Sequence, residues 1–197
     1  DTETKDAVIL DISIEPEEIF KFIEENKLNL NFAVIMHSHF DHVVGYDFYR
    51  ERGIELLAHE SFKKQVDQRV DDGDELIMGN YKLLVLYTPG HIYDCICILV
   101  DGKLFTSDTL FIGGCGRCDL AGGDVEVMYE SLQKILKNAG YEDIVSAKSA
   151  DEVYDLLKIN DPSHGKMDLD LILMDIVMPV TAGIDVCREI KAHVGYK

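Results

Sequence analysis

Six consecutive residues, His37-Ser38-His39-Phe40-Asp41-His42, constrain this chain more than any other stretch. They follow Phe32 to Met36, an apolar run that reads as a buried strand, and lead into a segment with helical spacing. Side chains two apart in extended backbone point the same way, so His37, His39 and Asp41 can converge on one side. His42 then turns back toward them at the start of the helix. Three imidazoles and a carboxylate this close together suit zinc or iron, which take nitrogen and oxygen ligands at short distance. The plainer alternative is a row of surface histidines with no joint role. Four such groups directly after an apolar strand argue against it.

A further histidine comes from Thr88-Pro89-Gly90-His91, at the end of a strand spanning Tyr81 to Tyr87. Pro and Gly make a tight turn there, which holds the imidazole instead of leaving it on a mobile loop. Asp108 follows a strand over Lys103 to Thr106, and its two oxygens can bridge two cations. The rest of this region reads as alternating elements. Ala7 to Ile12 is a strand, Pro16 opens a helix, Asp41 to Arg52 is helical and Glu55 to Ala58 is a strand. Ser61 caps a helix through about Arg69, and Cys95 to Val100 is a strand joined to the next by an Asp101-Gly102 hairpin turn. A Gly-rich loop from Gly113 to Gly123 precedes a helix over Glu126 to Asn138, ended by Gly140. Beyond it come strand Asp143 to Ala147, helix Ala150 to Lys158, a loop over Asp161 to Lys166, strand Leu169 to Asp175 and helix Gly183 to His193. Ser149 and Glu152 form a capping box for the first of these helices.

His-x-His-x-Asp-His, Thr-Pro-Gly-His and Leu104-Phe105-Thr106-Ser107-Asp108-Thr109-Leu110-Phe111 occur in the order found in the metallo-β-lactamase superfamily, which residues 7–136 resemble. Gly113-Gly114-Cys115-Gly116-Arg117-Cys118-Asp119 and Gly122-Gly123-Asp124 narrow the likeness to its hydroxyacylglutathione hydrolase-like branch. The resemblance implies one metal held by His37, His39 and His91, and a second by Asp41 and His42, with Asp108 between them. Zinc, as one or two ions, is the cofactor it implies, with iron as the alternative. A water made acidic by the metals attacks a thioester or other activated carbonyl, and Asp41 and Asp108 are the catalytic carboxylates. Arg117 either meets the anionic end of the substrate or closes an ordinary loop salt bridge.

Two departures from that family stand out. Its opening strands are not fully present before Ala7, and the segment that carries its last metal-binding histidine is absent after the Glu126 to Asn138 helix. The later histidines, His164 and His193, lack the expected context, which implies a second metal site that is weak or empty. Cys115 and Cys118 form a single C-x-x-C pair, a weak zinc or redox signal, and Cys95 and Cys97 read as core.

From Asn138-Ala139-Gly140-Tyr141 onward the chain resembles a response-regulator receiver domain. The stretch that carries this likeness is Asp170-Leu171-Ile172-Leu173-Met174-Asp175-Ile176-Val177-Met178-Pro179. In that family the aspartate matching Asp175 accepts a phosphoryl group at the carboxyl end of a parallel strand. The acidic pair that holds Mg²⁺, the late Thr or Ser and the late Lys are not found, and Ala182 stands where the family has an aspartate. Asp175 therefore reads as a strand-end residue more than as a working phosphoacceptor. The expected fold class is α/β: an incomplete metallo-β-lactamase αββα sandwich, completed or followed by a flavodoxin-like receiver βαβα fragment. Regions 1–136 and 137–197 are either two domains or one merged chimera, natural or engineered, joined inside a helix they share.

Net charge is −18, a surface that repels nucleic acid and anionic lipid, so neither is an expected partner. No apolar run approaches the roughly 18–20 residues that span a bilayer. The odd number of cysteines, five, lies in strands and loops and fits a reducing, cytoplasmic compartment. The expected partner is a small-molecule substrate, with any protein partner unspecified. Three functions remain open at this point: thioester hydrolase, mononuclear-iron persulfide dioxygenase using His37, His91 and Asp108, and an inactive chimeric scaffold or phosphorelay receiver module.

Overall fold

The computed structural model describes residues 1–13, 15–112, 114–159, 172–174 and 181–192. The chain divides into two compact units, one of residues 1–111 and 116–140, the other of residues 112–115 and 141–197.

In the first unit, β1 (Asp6–Leu10), β2 (Asn29–Ile35), β3 (Leu56–His59) and β4 (Gln68–Val70) pair side by side in that order, all parallel. Parallel neighbours need crossovers. Helix α1 (Pro16–Glu25) supplies the first, and α2 (Phe40–Val43) with α3 (Tyr46–Glu51) supply the second. Pro16 sits in the first turn of α1 with Glu17 and Glu18 beside it, where a missing N–H costs nothing and negative charge faces the positive helix end. A second sheet is antiparallel, in the order β5 (Glu75–Met78), β6 (Tyr81–Tyr87), β7 (Ile96–Val100), β8 (Lys103–Phe105). Asp101 and Gly102 turn β7 into β8 with φ of 49° and 68°, the left-handed pair a two-residue hairpin requires. A short strand follows, β9 (Leu110–Phe111), while β10 (Gly114–Cys115) is counted with the second unit.

The period-2 alternation of the strands decides the layering. Phe32, Val34 and Met36 face Leu83, Val85, Ile96 and Ile98 between the sheets, while Ala33 and Ile35 face Tyr49, Leu56 and Phe62 under the first helices. Leu86 and Cys97 turn the other way, onto Ile135 of α4 (Val125–Asn138). The result is helix, sheet, sheet, helix. Each fully buried Leu or Ile contributes roughly 1.5–3 kcal/mol, so this alternation is the main source of register. Asp124 caps α4 by accepting the Glu126 and Val127 N–H groups at 2.9 and 3.1 Å.

Two helices expected from the sequence do not form as such here. Residues Ser61 to Arg69 do not form a helix. The Arg69 guanidinium takes the carbonyls of His59, Glu60, Phe62 and Lys64, and β4 pairs with β3 instead. The helix expected over Asp41 to Arg52 breaks at Val44 and Gly45, where the Gly45 N–H bonds the Ile12 carbonyl at 2.8 Å. A Cβ at Gly45 would stand 2.9 Å from that oxygen, so only glycine permits the approach.

In the second unit, α5 (Ala150–Leu157) starts on Ser149, whose hydroxyl accepts the Glu152 N–H at 3.2 Å. The Glu152 carboxylate reaches back to the Lys148 N–H rather than to Ser149. Val186 and Ile190 of α6 (Gly183–Ala192) pack with Ala150, Val153, Tyr154 and Leu157. Residues 143–147 carry no strand, although one was expected there. Of the strand expected at Leu169 to Asp175, only residues 172–174 are described, and they too are not in a strand. Asp175, His164, His193 and the Asp161 to Lys166 loop lie outside the described residues. Among the described residues no helix is long and apolar enough to cross a membrane.

Candidate metal centre

The carboxyl ends of β1, β2, β6 and β8 deliver the ionisable groups. β2 runs into Met36 and His37, and the Met36 carbonyl accepts the Ile96 N–H at 2.9 Å, tying this end of the parallel sheet to the antiparallel one. His39 is still extended, at φ −62° and ψ 148°, and α2 begins directly after it. His37, His39 and His91 bring one ring nitrogen each within 4.8 Å of one another. Their ring centroids lie 5.0 Å (His37–His39), 5.3 Å (His37–His91) and 4.4 Å (His39–His91) apart. His37 is 1% and His91 4% exposed, and the Nε2 atoms of both have no hydrogen-bond partner among the described residues. Buried polar atoms are rarely left so. Two bare imidazole nitrogens aimed beside a third are the donor set that zinc or iron(II) takes, so the residues fit such a cation.

The other ring nitrogens are occupied. His91 Nδ1 donates to the Arg117 carbonyl at 2.6 Å, which leaves its Nε2 lone pair facing the cluster. His37 Nδ1 lies 3.3 Å from Ser107 Oγ. His42 Nδ1 bonds Asp11 Oδ2 at 2.8 Å, so its Nε2 points to Asp108 Oδ1 at 3.5 Å and Asp41 Oδ2 at 3.8 Å. Asp108 Oδ2 is 3.4 Å from His91 Nε2, without forming a hydrogen bond. The two oxygens of Asp108 thus face the two histidine groups. Asp41 is the most open member, its side chain 56% exposed. The Arg117 side chain makes a bidentate pair with Asp119 at 2.8 Å, both exposed, and its contribution to the cluster is its carbonyl.

Three further residues belong to this site: Asp11, Ser107 and Asp94. The run Ala7 to Ile12 reads as a strand, yet β1 ends at Leu10 and Asp11 turns at φ 64°. Its carboxylate accepts the Met36 N–H, the His42 ring and the Ser107 hydroxyl, each at 2.8 Å, and with His37 and His42 it forms a second group able to hold a cation. Ser107, at φ 42°, shapes the turn that presents Asp108. Asp94 is buried at 1% exposure behind His91. An acidic residue directly after a buried strand was the available signal for Asp11. None marked Ser107 or Asp94.

Burial, and then the charges of His42, His39 and His91, push the pKa of His37 down to about 2. Burial also lowers that of His39, which His91 reinforces and Asp41, Asp108 and Asp94 oppose. Burial pulls His42 down too, but the hydrogen bond and charge of Asp11, with Asp108 and Asp41, outweigh it, and its pKa rises. Below pH 6.5 the unfolded chain binds protons that folded His37 refuses. The stability from neutral His37 is therefore complete above that pH and falls by up to about 1.4 kcal/mol per pH unit on acidification. The contribution of His42 has the opposite sign: it is complete below pH 6.5 and is lost as pH rises through its raised value. Urea midpoints of chelator-treated protein between pH 5 and 8 are expected to peak near pH 6.5. A midpoint that keeps rising toward pH 5 contradicts this balance.

Stacked sheets flanked by helices, with imidazoles and carboxylates gathered at strand ends, define an αββα sandwich with a candidate metal centre. Residues 58–145 match the metallo-beta-lactamase superfamily model, and residues 123–196 match the response regulator receiver domain model. The hydroxyacylglutathione hydrolase of Idiomarina loihiensis is 34% identical over 142 residues, 71% of this chain and 55% of that protein. The mitochondrial persulfide dioxygenase ETHE1 of Bos taurus is 31% identical over 139 residues, 68% of this chain and 55% of that one. The crystal structure of ETHE1 from Myxococcus xanthus superposes with a TM-score of 0.65 at 31% identity, covering 70% of this chain and 62% of that chain. Up to α4 this chain is similar to the metallo-β-lactamase superfamily, and from there on it carries a response regulator receiver match. The chain spans about half the length of the curated relatives it matches. The two matches overlap over residues 123–145, which contain all of α4.

Proposed function

We propose that this chain is a metal-dependent hydrolase acting on thioesters of the hydroxyacylglutathione type. The observation that carries the reading is the pair of unpartnered, buried Nε2 atoms on His37 and His91, converging with His39 beside a carboxylate that also faces His42. His37, His39 and His91 would hold one zinc ion, and Asp41 and His42, with Asp108 facing both groups, would offer a second, weaker site. A bound cation of this kind polarises a carbonyl oxygen and makes water acidic near neutral pH. The chain's own groups do the rest. Depressed basicity keeps His37 neutral, and so a lone-pair donor, across the physiological range. Asp41, the exposed member of the cluster, orients the attacking water and accepts its proton. Asp11 holds His42 and, through Ser107, the turn that presents Asp108. Phe40, 82% exposed between His39 and Asp41, offers an apolar lip for the acyl group. The substrate is a small molecule, and the acidic surface disfavours nucleic acid and anionic membranes as partners.

Likeness to the ETHE1 proteins supports a second reading, a mononuclear-iron persulfide dioxygenase that uses His37, His91 and Asp108. Metal-stripped protein reloaded with zinc should release thiol from S-lactoylglutathione well above the rate of free zinc, and protein kept with chelator should not. One iron per chain, with oxygen uptake on glutathione persulfide and no thioester cleavage, selects the second reading instead.

A further inference from the structure

Among the described residues, Asp94 is the only carboxylate that the fold buries, at 1% exposure. Its Oδ1 accepts the N–H of Ser38 at 3.2 Å, and its Oδ2 has no hydrogen-bond partner among the described residues. Ser38 is the residue between His37 and His39, and Asp94 lies three residues after His91. This single hydrogen bond therefore ties the segment that carries two of the imidazoles to the loop that carries the third.

That loop is itself held from several sides. The Thr88 N–H bonds the Cys95 carbonyl at 2.9 Å, the Tyr87 hydroxyl donates to the Tyr93 carbonyl at 2.8 Å, and Ser131 of α4 donates to the Pro89 carbonyl at 2.6 Å. Asp94 is thus mounted on a fixed frame and has no freedom to turn its bare oxygen to solvent. A hydrogen bond to one backbone N–H does not require a charge there, since a neutral amide or hydroxyl serves equally well. A buried carboxylate with an unpaired oxygen is expensive unless positive charge stands close by. The three imidazoles carry no negative charge of their own, and a divalent cation among them is stabilised by an anion fixed in the same low-dielectric region.

We propose that Asp94 is a positioning residue for the metal centre: it locks the His37–His39 segment onto the His91 loop and serves as a buried counter-charge for the cation those three histidines hold. The proposal rests on the metal-site reading above. Asp94→Asn separates the counter-charge from the lock, because the amide oxygen still accepts from Ser38 while the charge is gone. Competition with a chromophoric chelator should show zinc affinity lowered roughly 10- to 100-fold, the range typical of residues that support metal ligands. The chelator-treated Asn variant should be at least as stable as the parent, since a buried charge has been removed. Asp94→Ser, smaller and neutral, is a second charge-free variant should the amide misfold, and it is expected to show the same loss of affinity. If a folded neutral variant binds zinc as tightly as the parent, the proposal is overturned and the metal-site reading stands. A parent that binds no zinc overturns both.

Discussion

Replacing His91 with alanine is expected to abolish tight cation binding while leaving the metal-free protein almost as stable as the parent. Removing a residue that only supports a ligand costs about 10- to 100-fold in affinity, and loss of a ligand from a three-imidazole site exceeds that. The folded chain loses one hydrogen bond, His91 Nδ1 to the Arg117 carbonyl, worth about 1 kcal/mol. It also sheds a buried Nε2 with no partner, which offsets part of that loss. The difference shows in thermal melts. At zinc 100-fold above the dissociation constant, the parent should gain about 2.7 kcal/mol, whereas His91→Ala gains nothing and hydrolyses no thioester. A variant that keeps the zinc-induced stabilisation removes His91 from the site.

Gly90→Ala is the second large effect, and it acts on the same histidine through the fold. Gly90 has φ 134°, and a Cβ there would stand 2.3 Å from Met128 Cα and 2.4 Å from Met128 N, both backbone atoms of α4. Side chains can move aside, but a helix backbone anchored by Asp124 N–H to the Gly90 carbonyl at 2.8 Å cannot do so cheaply. Overpacking at roughly 1–3 kcal/mol and backbone strain at roughly 1–3 kcal/mol together give a loss of about 2–6 kcal/mol in the urea-derived stability. Gly102→Ala is the control. Its φ is 68° but nothing lies within 4 Å, so only the strain remains and about 1 kcal/mol is expected. Equal losses at the two positions contradict the packing of α4 on the Thr-Pro-Gly-His turn.

Local pattern accounts for much of what was legible in the residues. Phe32 to Met36 alternates between two buried faces, and Asp101-Gly102 can only turn. The His-x-His-x-Asp-His run advertises its chemistry because its members are neighbours in the chain. Residues whose role depends on closure from afar were silent. Asp11 meets Ser107 across 96 positions, and Asp94 meets Ser38 across 56. The segment after Ser61 has a plausible cap, but Arg69 collects its carbonyls and β3 recruits β4, so tertiary pairing overrides propensity. Gly45 shows the same on a smaller scale: the close approach of the Ile12 carbonyl is invisible until β1 and α3 have packed.

The account turns on a cation gripped by imidazoles from two distant stretches of chain. X-ray absorption spectroscopy of the zinc-loaded protein tests this most directly. The prediction is a first shell of nitrogen and oxygen at about 2.0–2.2 Å with imidazole outer-shell scattering and no sulfur at about 2.3 Å. A sulfur-dominated shell, as the Cys115 and Cys118 pair would produce, or a zinc ion surrounded by water oxygen alone, contradicts it.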